Sequence, residues 1–465
     1  MEEKLIATPN FERKEISSSD LIRLLTNPSP DIIQKVDGEE KIVFNRYDIE
    51  DEYIILGESI EVNLPLLFDG CIFKSDNSLW IEGLICNESL TFEGCTFSNG
   101  IFFQGGTFKK KVSLKYVHTK HIHLSNGTFD EISISAYDIQ KIWVSGAKFE
   151  KLHIGEHLVN NNIGKLTIFA NQNEVGNIVA SDQSFDEIYL SGTNKDKSFD
   201  FSKIKCNSVS IVSFKNEGSL NFYGIEPKDL NNTNRYFQII NSTLNNVQFH
   251  RAYFSHYKEL IIINSFITES IFITCLWSNN IRALYGPGYG TFEKSLEDGR
   301  KISSVETFAI KEAYRQLKIS MSAHSDRIQE NKFYAEELNF YNRTLKWTAP
   351  WKNQFWDKIV LHLSKMFSDY GQSFSKPLFW LLLGHLILFW GALLLNGFLP
   401  LHISLFNPKA SAFKDAFEKY FIYINPLRRL ETSLSGYLIL VDLSMRIWSS
   451  YMIYNLIRAS RRFIS

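Results

Sequence analysis

The sequence predicts a β-solenoid of the right-handed parallel β-helix type, followed by an α-helical hairpin and a two-helix transmembrane domain. A short apolar motif recurs along the first part of the chain, apolar spacing becomes helical after about residue 300, and two long apolar runs lie near the C-terminus. We therefore divide the chain into an N-terminal capping region (1–60), a solenoid (61–285), a helical hairpin with an interfacial helix (300–376) and a two-span domain (377–465).

The solenoid prediction depends on a repeat of short alternating strands. The segments KVSL, HIHL, EISI, KIWV and KLHI place their first apolar residues ten apart, at Val112, Ile122, Ile132, Ile142 and Leu152. So short a strand cannot bury its apolar side alone, but stacking on similar neighbours buries it. The alternative is an antiparallel sandwich, whose strands recur at a similar spacing. The regular interval and the scarcity of Asn-Gly and Asp-Gly turns favour the solenoid.

Composition limits the classes of function. The 465 residues carry a formal net charge of -1, so no global positive field attracts nucleic acid or an anionic surface. The five cysteines are scattered without CxxC spacing, which argues against a disulfide framework and against a zinc site. The N-terminus lacks the apolar core of a signal peptide, so we expect the N-terminal part to stay in the cytoplasm.

The chain offers no pattern for catalysis. A β-helix lyase or hydrolase needs paired carboxylates or a metal cluster on stacked coils, whereas Glu131, Glu150 and Asp186 stand singly at turns. The Walker, HExxH and GxSxG patterns are missing from the sequence. We therefore expect that the protein is not an enzyme and needs no cofactor.

Helical periodicity begins after residue 300. The segments SSVETFAIKEAYRQLKISMSA and HSDRIQENKFYAEELNFYNRTLKW predict two amphipathic helices, joined by a polar break at His324 and Ser325. The stretch APWKNQFWDKIVLHLSKMFSDYGQSFSK follows them. Its tryptophans and lysines are typical of a helix that lies on a membrane interface.

Two apolar runs predict membrane spans. The first, Pro377–Leu401, contains no formally charged residue, and a span needs roughly 20 apolar residues. The second covers about residues 433–457. Lysines precede the first run, and Arg458, Arg461 and Arg462 follow the second, so the positive-inside rule places both termini in the cytoplasm. The alternative for the first run is a helix buried in a protein core.

The second run carries an acid and a base. Asp442 and Arg446 are four residues apart, so they share one helix face and can pair. Ser435 and Ser449 lie close to the same stripe, and His385 lies in the first run. Since charge is costly in a bilayer unless it faces protein or water, we expect these side chains to line or gate a pore between several chains. The alternatives are a structural dimer with an internal salt bridge and, for His385, a hydrogen bond inside a bundle.

One segment of the solenoid, TFKKKVSLKYVHTKHIHL, concentrates basic side chains. Stacked coils could gather these into a site for a polyanion such as a nucleic-acid oligomer, with Tyr116 near enough to stack on a base. The alternative is a solvated edge, where lysines protect the sheet from aggregation. The basic members of this cluster are Lys109, Lys110, Lys111, Lys115, Lys120, His121 and His123.

These features resemble known families. Short units that contain Phe, such as NGTFDE, GAKFEK and DQSFDE, distantly resemble the pentapeptide-repeat family, which implies that short units stack into a coil. The order of span, external segment, span and basic end over residues 377–465 resembles two-transmembrane channels. A solenoid joined through helices to such a domain is similar to membrane effectors of bacterial anti-phage systems, and in plan to the Hailong-type effectors. That resemblance implies a place in a bacterial inner membrane, a homo-oligomer with four subunits by analogy, and control by a nucleotide or single-stranded DNA oligomer from a partner nucleotidyltransferase.

Taken together, the features predict an oligomeric ion channel in the lipid bilayer, gated by its solenoid and acting in antiviral defence by membrane depolarisation. The alternative is a membrane-anchored scaffold whose solenoid binds a partner protein.

Overall fold

The computed structural model describes residues 13–57, 60–75, 78–156, 162–171, 175–278, 281–282, 304–394, 410–429 and 437–461. The chain forms two compact units, Met1–Phe292 and Glu293–Ser465. The first unit is built mainly from β-strands, and the second is built from α-helices.

The described strands of the first unit form two sheets, one of nineteen strands and one of eleven. The second sheet consists of β5, β9, β13, β16, β18, β20, β22, β24, β26, β28 and β30, and the remaining strands form the first sheet. In chain order the strands are β1 (Lys14–Ser17), β2 (Ile33–Val36), β3 (Glu39–Asn45), β4 (Tyr47–Glu50), β5 (Ile54–Leu56), β6 (Glu61–Val62), β7 (Leu66–Asp69), β8 (Ile72–Lys74), β9 (Leu79–Ile81), β10 (Ile85–Cys86), β11 (Leu90–Glu93), β12 (Thr96–Phe97), β13 (Gly100–Gln104), β14 (Thr107–Phe108), β15 (Val112–His118), β16 (His121–Ser125), β17 (Thr128–Tyr137), β18 (Lys141–Ser145), β19 (Lys148–Ile154), β20 (Asn162–Ala170), β21 (Asn177–Ser181), β22 (Ser184–Thr193), β23 (Ser198–Ser202), β24 (Lys205–Lys215), β25 (Ser219–Tyr223), β26 (Tyr236–Ile240), β27 (Gln248–His250), β28 (Glu259–Ile263), β29 (Ile271–Ile273) and β30 (Ile281–Arg282).

From β15 to β19 the chain alternates between the two sheets and so winds into a coil. Val112 pairs with Ile132, and Ile132 pairs with Leu152, in the first sheet. Ile122 pairs with Ile142 in the second sheet. One coil here therefore takes twenty residues, the step from Val112 to its partner, and the ten-residue motif of the sequence is half a coil.

The solenoid prediction is confirmed, with about ten coils. The sandwich alternative is wrong, because the described ladders run parallel apart from the pairing of β2 with β3. Coil length varies along the chain, since Leu66 pairs with Leu90 and Phe222 with Phe249. Bulges also shift the register within two strand pairs, between Lys115 and Val117 of β15 and between Leu190 and Gly192 of β22.

Stacked phenylalanines fill the inside of the coil. The rings of Phe201, Phe222, Phe249 and Phe272 follow one another with centroid distances of 5.2, 5.3 and 5.0 Å. These distances follow from the spacing of paired strands, about 4.8 Å, which sets equivalent side chains of neighbouring coils one above the other. Such stacking is consistent with the pentapeptide-repeat-like fold that the Phe-containing units predict.

Buried asparagines satisfy the backbone at one corner of the coil. Asn194 donates to Asn216 Oδ1 at 2.6 Å, and its own Oδ1 accepts from the backbone N–H of Glu217 at 3.0 Å. Backbone groups at a buried corner have no ladder partner, so side-chain amides take that role.

The N-terminal segment continues the solenoid. A helix, α1 (Ser18–Thr26), begins after Ser17, whose side chain accepts from the Asp20 backbone N–H. Leu21 and Leu25 of this helix are buried. A one-turn 3-10 helix, Pro30–Ile32, precedes the β2–β3 hairpin, and β1 pairs with β4 in the first sheet. The predicted capping region therefore shares a sheet with the coils that follow.

The second unit contains six described helices. The predicted hairpin is present: the first two helices are separated by a short turn, and Tyr314 of one stacks on Phe340 of the other at 5.6 Å. Lys318 and Glu337 also bridge the pair at 2.7 Å. The helices are α2 (Ser304–Ala323), α3 (Arg327–Thr344), α4 (Asn353–Ser368), α5 (Ser375–Leu394), α6 (Ala410–Ile424) and α7 (Tyr437–Arg461).

A small apolar core joins α4, α5 and α7. It contains Phe367, Leu381 and Met452, each buried. Trp448 of α7 donates through Nε1 to the backbone carbonyl of Trp380 at 3.1 Å. A Cβ at Gly384 would overlap with the Trp448 indole, so glycine at this position permits the close approach of α5 and α7.

The predicted two-helix transmembrane domain is wrong. No described helix is both long enough and apolar enough to cross a membrane. The first predicted span, Pro377–Leu401, overlaps α5, which ends at Leu394, and its last residues lie outside the described chain. The second, at about 433–457, overlaps α7, which carries Asp442 and Arg446 midway and further arginines at its end. The predicted placement of the chain in a bacterial inner membrane, with both termini in the cytoplasm, is wrong as well, because it required these two spans.

We expect the phenylalanine stack to carry much of the solenoid's stability. Phe222→Ala should lower the free energy of unfolding by about 3–5 kcal/mol, because it removes a fully buried ring between two others. The matched control is Tyr223→Ala on the same strand, where the side chain is exposed and the loss should be about 1 kcal/mol or less. Urea unfolding followed by circular dichroism measures both. Equal losses would show that the stack is not the main interior contact.

Candidate functional site

The structure divides the predicted polyanion cluster between the two sheets. Lys109, Lys110 and Lys111 form the corner between β14 and β15. Lys115 lies on β15, and Tyr116 lies at a bulge of that strand with a positive φ. By contrast, His121 and His123 lie on β16 of the second sheet, with Lys120 just before them. The side chains that are close in sequence therefore do not form a single patch.

Charges on the first-sheet side neutralise one another. Lys111 bridges to Glu131 at 2.8 Å and to Glu156 at 2.9 Å. Burial opposes ionisation of Glu156, but hydrogen bonds from Ser133 and Lys111 outweigh it and bring the pKa of Glu156 down to about 2. Along the coils Glu131 pairs in turn with Lys151, so acids and bases alternate. Lys111 is thus a weak candidate for holding an external anion.

Basic residues occupy one column of the second sheet over three coils. His121 pairs in register with Lys141, and Lys141 pairs with Lys165. The next residue of this column is Glu187, which bridges to Lys165 at 2.8 Å. His121 and Lys141 therefore lie at the basic end of the column.

An aromatic column runs beside these basic residues. Trp80, Phe102, His123 and Trp143 pair in register on four neighbouring coils. Trp80 and Phe102 stack at 4.6 Å, and Phe102 and His123 lie 4.2 Å apart. The ammonium group of Lys141 lies 3.9 Å from the Trp143 ring centroid, a cation–π contact. We call His121, His123, Lys141, Trp143 and Lys165 the basic–aromatic face.

Burial and neighbouring bases both act on the protonation of the basic–aromatic face. Burial first, and then the charge of Lys141, lowers the pKa of His123 to about 4. Burial and the neighbours Lys141 and Lys120 lower the pKa of His121 as well. The pKa of Lys141 is lowered by burial and by Lys165. Each of these bases is held back from protonation partly by other bases, and a bound anion would relieve that repulsion.

Sequence reasoning missed Lys141, Trp143 and Lys165. Lys141 and Trp143 lie together on β18, one coil beyond His121, and Lys165 lies one coil further along the chain. A signal for them exists in the repeat: HIHL, KIWV and KLTI are alternate motifs, and alternate motifs fall on the same sheet.

The predicted pair of Asp442 and Arg446 is present and belongs to a larger ion cluster. Arg446 Nε donates to Asp442 Oδ2 at 2.6 Å, and Arg428 donates to the other carboxylate oxygen. Asp442 is 1% exposed. Arg446 also donates to the backbone carbonyls of Pro426 and Arg428, at 3.2 and 2.6 Å. The cluster therefore fastens the segment after α6 to the middle of α7.

The other predicted pore residues take different positions. His385 and Ser449 are both buried, with the histidine Nδ1 3.4 Å from the serine Oγ. Burial first, and then the charge of Arg428, lowers the pKa of His385 to about 4. Ser435 lies outside the described residues. The four predicted pore residues that the structure describes, Asp442, Arg446, His385 and Ser449, contact one another or other residues of the same chain. Their role at a pore stays a prediction.

Comparison with known proteins adds no relative: no family model, no curated protein and no solved structure matches the chain. The resemblance to Hailong-type effectors therefore has no support from a related protein. Among the described residues, no group of three or more His, Cys, Asp and Glu side chains is placed to hold a metal ion.

We expect acid to weaken the folded protein through His123. Its folded pKa of about 4 lies below the ordinary histidine value of 6.5, so the unfolded chain binds the proton more readily. The contribution of His123 to stability is complete above about pH 6.5 and is lost progressively as the pH falls toward 4. Urea unfolding across this range should show a smaller decline for His123→Phe than for the wild type. His324→Phe, at an exposed turn residue, is the control and should keep the wild-type decline. An unchanged decline in His123→Phe would contradict the assignment.

We expect Asp442→Asn to destabilise the helical unit by about 3–5 kcal/mol. The change keeps the side-chain shape but leaves two partly buried guanidinium groups without a counter-charge. Ser444→Ala, two residues along on the exposed side of α7, should change stability by less than about 0.5 kcal/mol. The helical signal in circular dichroism, followed during urea unfolding, measures both. A loss below about 1 kcal/mol in Asp442→Asn would argue that the cluster is not a structural fastening.

Proposed function

We propose that the protein is a ligand-responsive solenoid that binds a nucleotide or a short single-stranded nucleic acid at the basic–aromatic face. The observation that carries the proposal is the column of His121, Lys141 and Lys165 beside Trp143. These side chains combine what a single-stranded nucleic acid needs, positive charge for the backbone and an aromatic surface for a base. The aromatic contacts continue beyond Trp143 through Phe169, which is offset by two residues from the in-register Thr167, to Tyr189, so that they span five coil steps from Trp80, or about 24 Å.

A nucleic-acid ligand fits this face better than a protein partner does, because of charge. Burial first, and then neighbouring bases, lower the pKa values of His121, His123 and Lys141 on this side, and a bound anion would relieve the part that the neighbouring bases cause. On the first-sheet side, where Lys111 is matched by Glu131 and Glu156, the same argument gives no preference. The alternative predicted from the sequence is a scaffold whose solenoid binds a partner protein. That alternative is favoured if the basic–aromatic face binds no nucleic acid.

Of the role predicted in anti-phage defence, this proposal includes ligand recognition by the solenoid and does not include a channel. A ligand can control a protein only if two states of that protein bind it differently. In this proposal the second state involves the helical unit, in which the ion cluster around Asp442 holds α7 to the segment after α6. A partner nucleotidyltransferase as the source of the oligomer stays a prediction.

The test is binding of a fluorescein-labelled oligodeoxythymidine of about ten nucleotides to the full chain, measured by fluorescence anisotropy. We expect binding that weakens with salt, with a slope of log K against log salt near -2 for about three neutralised phosphates. Lys141→Glu should reduce the affinity at least tenfold, and Trp143→Ala should reduce it by a similar factor while leaving the salt slope unchanged.

Two charge reversals serve as controls. Lys195→Glu, in the exposed turn between β22 and β23, should leave binding unchanged. Lys110→Glu tests the corner on the first-sheet side and should have little effect. If Lys110→Glu weakens binding as much as Lys141→Glu does, the ligand does not bind at the basic–aromatic face. If neither the oligonucleotide nor free nucleotides bind the wild type, the nucleic-acid proposal fails.

A further inference from the structure

The helical unit exposes a regular apolar stripe along α7. Leu440, Ile447 and Tyr454 are 65%, 61% and 61% exposed, and Leu443 and Tyr451 lie exposed between them. The five residues follow one another at steps of three and four, so they lie on one side of the helix. The opposite side of α7 carries Asp442 and Ser449, which are buried within the chain. We call the five residues the α7 stripe.

The spacing of the α7 stripe is symmetric about Ile447, so it is the same in both directions along the helix. Leu440 and Leu443 lie seven and four residues before Ile447, and Tyr451 and Tyr454 lie four and seven residues after it. An identical helix laid antiparallel, with its own Ile447 opposite, would therefore set each leucine against a tyrosine. The exposed serines Ser444 and Ser450, three residues on either side of Ile447, are also matched.

The exposed apolar area suits a partner of the size of a second protein chain. Besides the α7 stripe, α5 exposes Phe379, Leu382, Leu386 and Trp390 at steps of three and four. The α7 stripe alone, five exposed side chains in a row, presents an apolar patch on the order of a few hundred Å², and a patch of this size commonly marks an interaction site. Stable dimers bury about 800 Å² on each partner, so the stripe would form the apolar centre of such a contact.

The charged end of α7 favours the antiparallel arrangement. Arg458 and Arg461 lie in the last turns of the helix. A parallel pair would bring four arginines together, whereas an antiparallel pair puts them at opposite ends and also opposes the two helix dipoles. A closed two-fold contact of this kind uses the same patch on both partners.

We propose that two copies of this chain associate through the α7 stripe, antiparallel about a two-fold axis near Ile447. The contact sets Leu440 against Tyr454 of the second copy and Leu443 against Tyr451. This inference does not depend on the ligand of the solenoid, and the two fail separately, since one concerns strands β16–β20 and the other concerns α7.

The first experiment is disulfide cross-linking in the full chain. Four native cysteines are buried and Cys275 is partly exposed, so Cys275→Ser gives a suitable background. Ile447→Cys should form a covalent dimer on mild oxidation, because the two thiols meet at the axis. Leu440→Cys and Tyr454→Cys should each fail alone and should cross-link when the two variants are mixed. Efficient dimers from Leu440→Cys alone would overturn the antiparallel arrangement.

The second experiment is sedimentation velocity of the full chain with one lysine added. Ile447→Lys should weaken dimerisation about 30-fold or more, because a charge then lies in the centre of an apolar contact. Ile328→Lys is the matched control: Ile328 of α3 is also exposed, at 49%, but lies away from the α7 stripe, and its replacement should leave the dimer intact. A wild-type chain that sediments as a monomer overturns the proposal. So does a monomer that floats with phosphatidylcholine–phosphatidylglycerol vesicles and loses this flotation in Ile447→Lys, because the stripe would then bind lipid.

Discussion

In-register stacking of parallel strands, about 4.8 Å apart, is the constraint on which the rest of the first unit depends. It sets each side chain above its equivalent in the next coil, so the residues of a column contact one another directly. Inside the coil this favours phenylalanine, whose rings stack at the strand spacing, as from Phe201 to Phe249. Outside the coil it penalises columns of like charge. The first sheet avoids that penalty by alternating Lys111, Glu131 and Lys151. In the second sheet Glu187 offsets the charge of Lys165, whereas His121 stays beside Lys141, whose charge adds to burial in lowering the pKa of the histidine.

The repeat made the solenoid predictable, but it did not make its surface predictable. Alternation of apolar and polar residues shows that a strand has a buried side, and this held for the motifs from Val112 to Leu152. The number of motifs in a coil depends on the turns at the corners, which short-range patterns do not encode. The basic segment was therefore read as one cluster, although a corner separates Lys111 from His121. Reading alternate motifs together would have joined His121 to Lys141.

The two membrane spans predicted in the second unit were wrong because hydropathy counts apolar side chains without regard to what they contact. In α5, Leu381 packs against Phe367 and Met452 within the chain, while Leu382 beside it is exposed. The pairing of Asp442 with Arg446 was predictable, since residues four apart share a helix face. Arg428 was not, because it reaches the same carboxylate from the segment after α6. Local spacing identifies the partners within one helix, and only the path of the chain identifies the others.

The buried cluster also explains why the exposed side of α7 is apolar. A helix that buries an acidic side chain directs its polar side toward the interior of the protein. In α7 the side chains of Asp442, Arg446 and Ser449 all contact neighbouring segments or one another. The remaining side has no exposed charged residue between Leu440 and Tyr454 and is suited to an apolar contact. A two-fold pair formed there would carry two basic–aromatic faces. A ligand long enough to reach both would bind the second face at the high effective concentration set by the first, so assembly of the helices would raise the affinity of the solenoids without any new contact to the ligand.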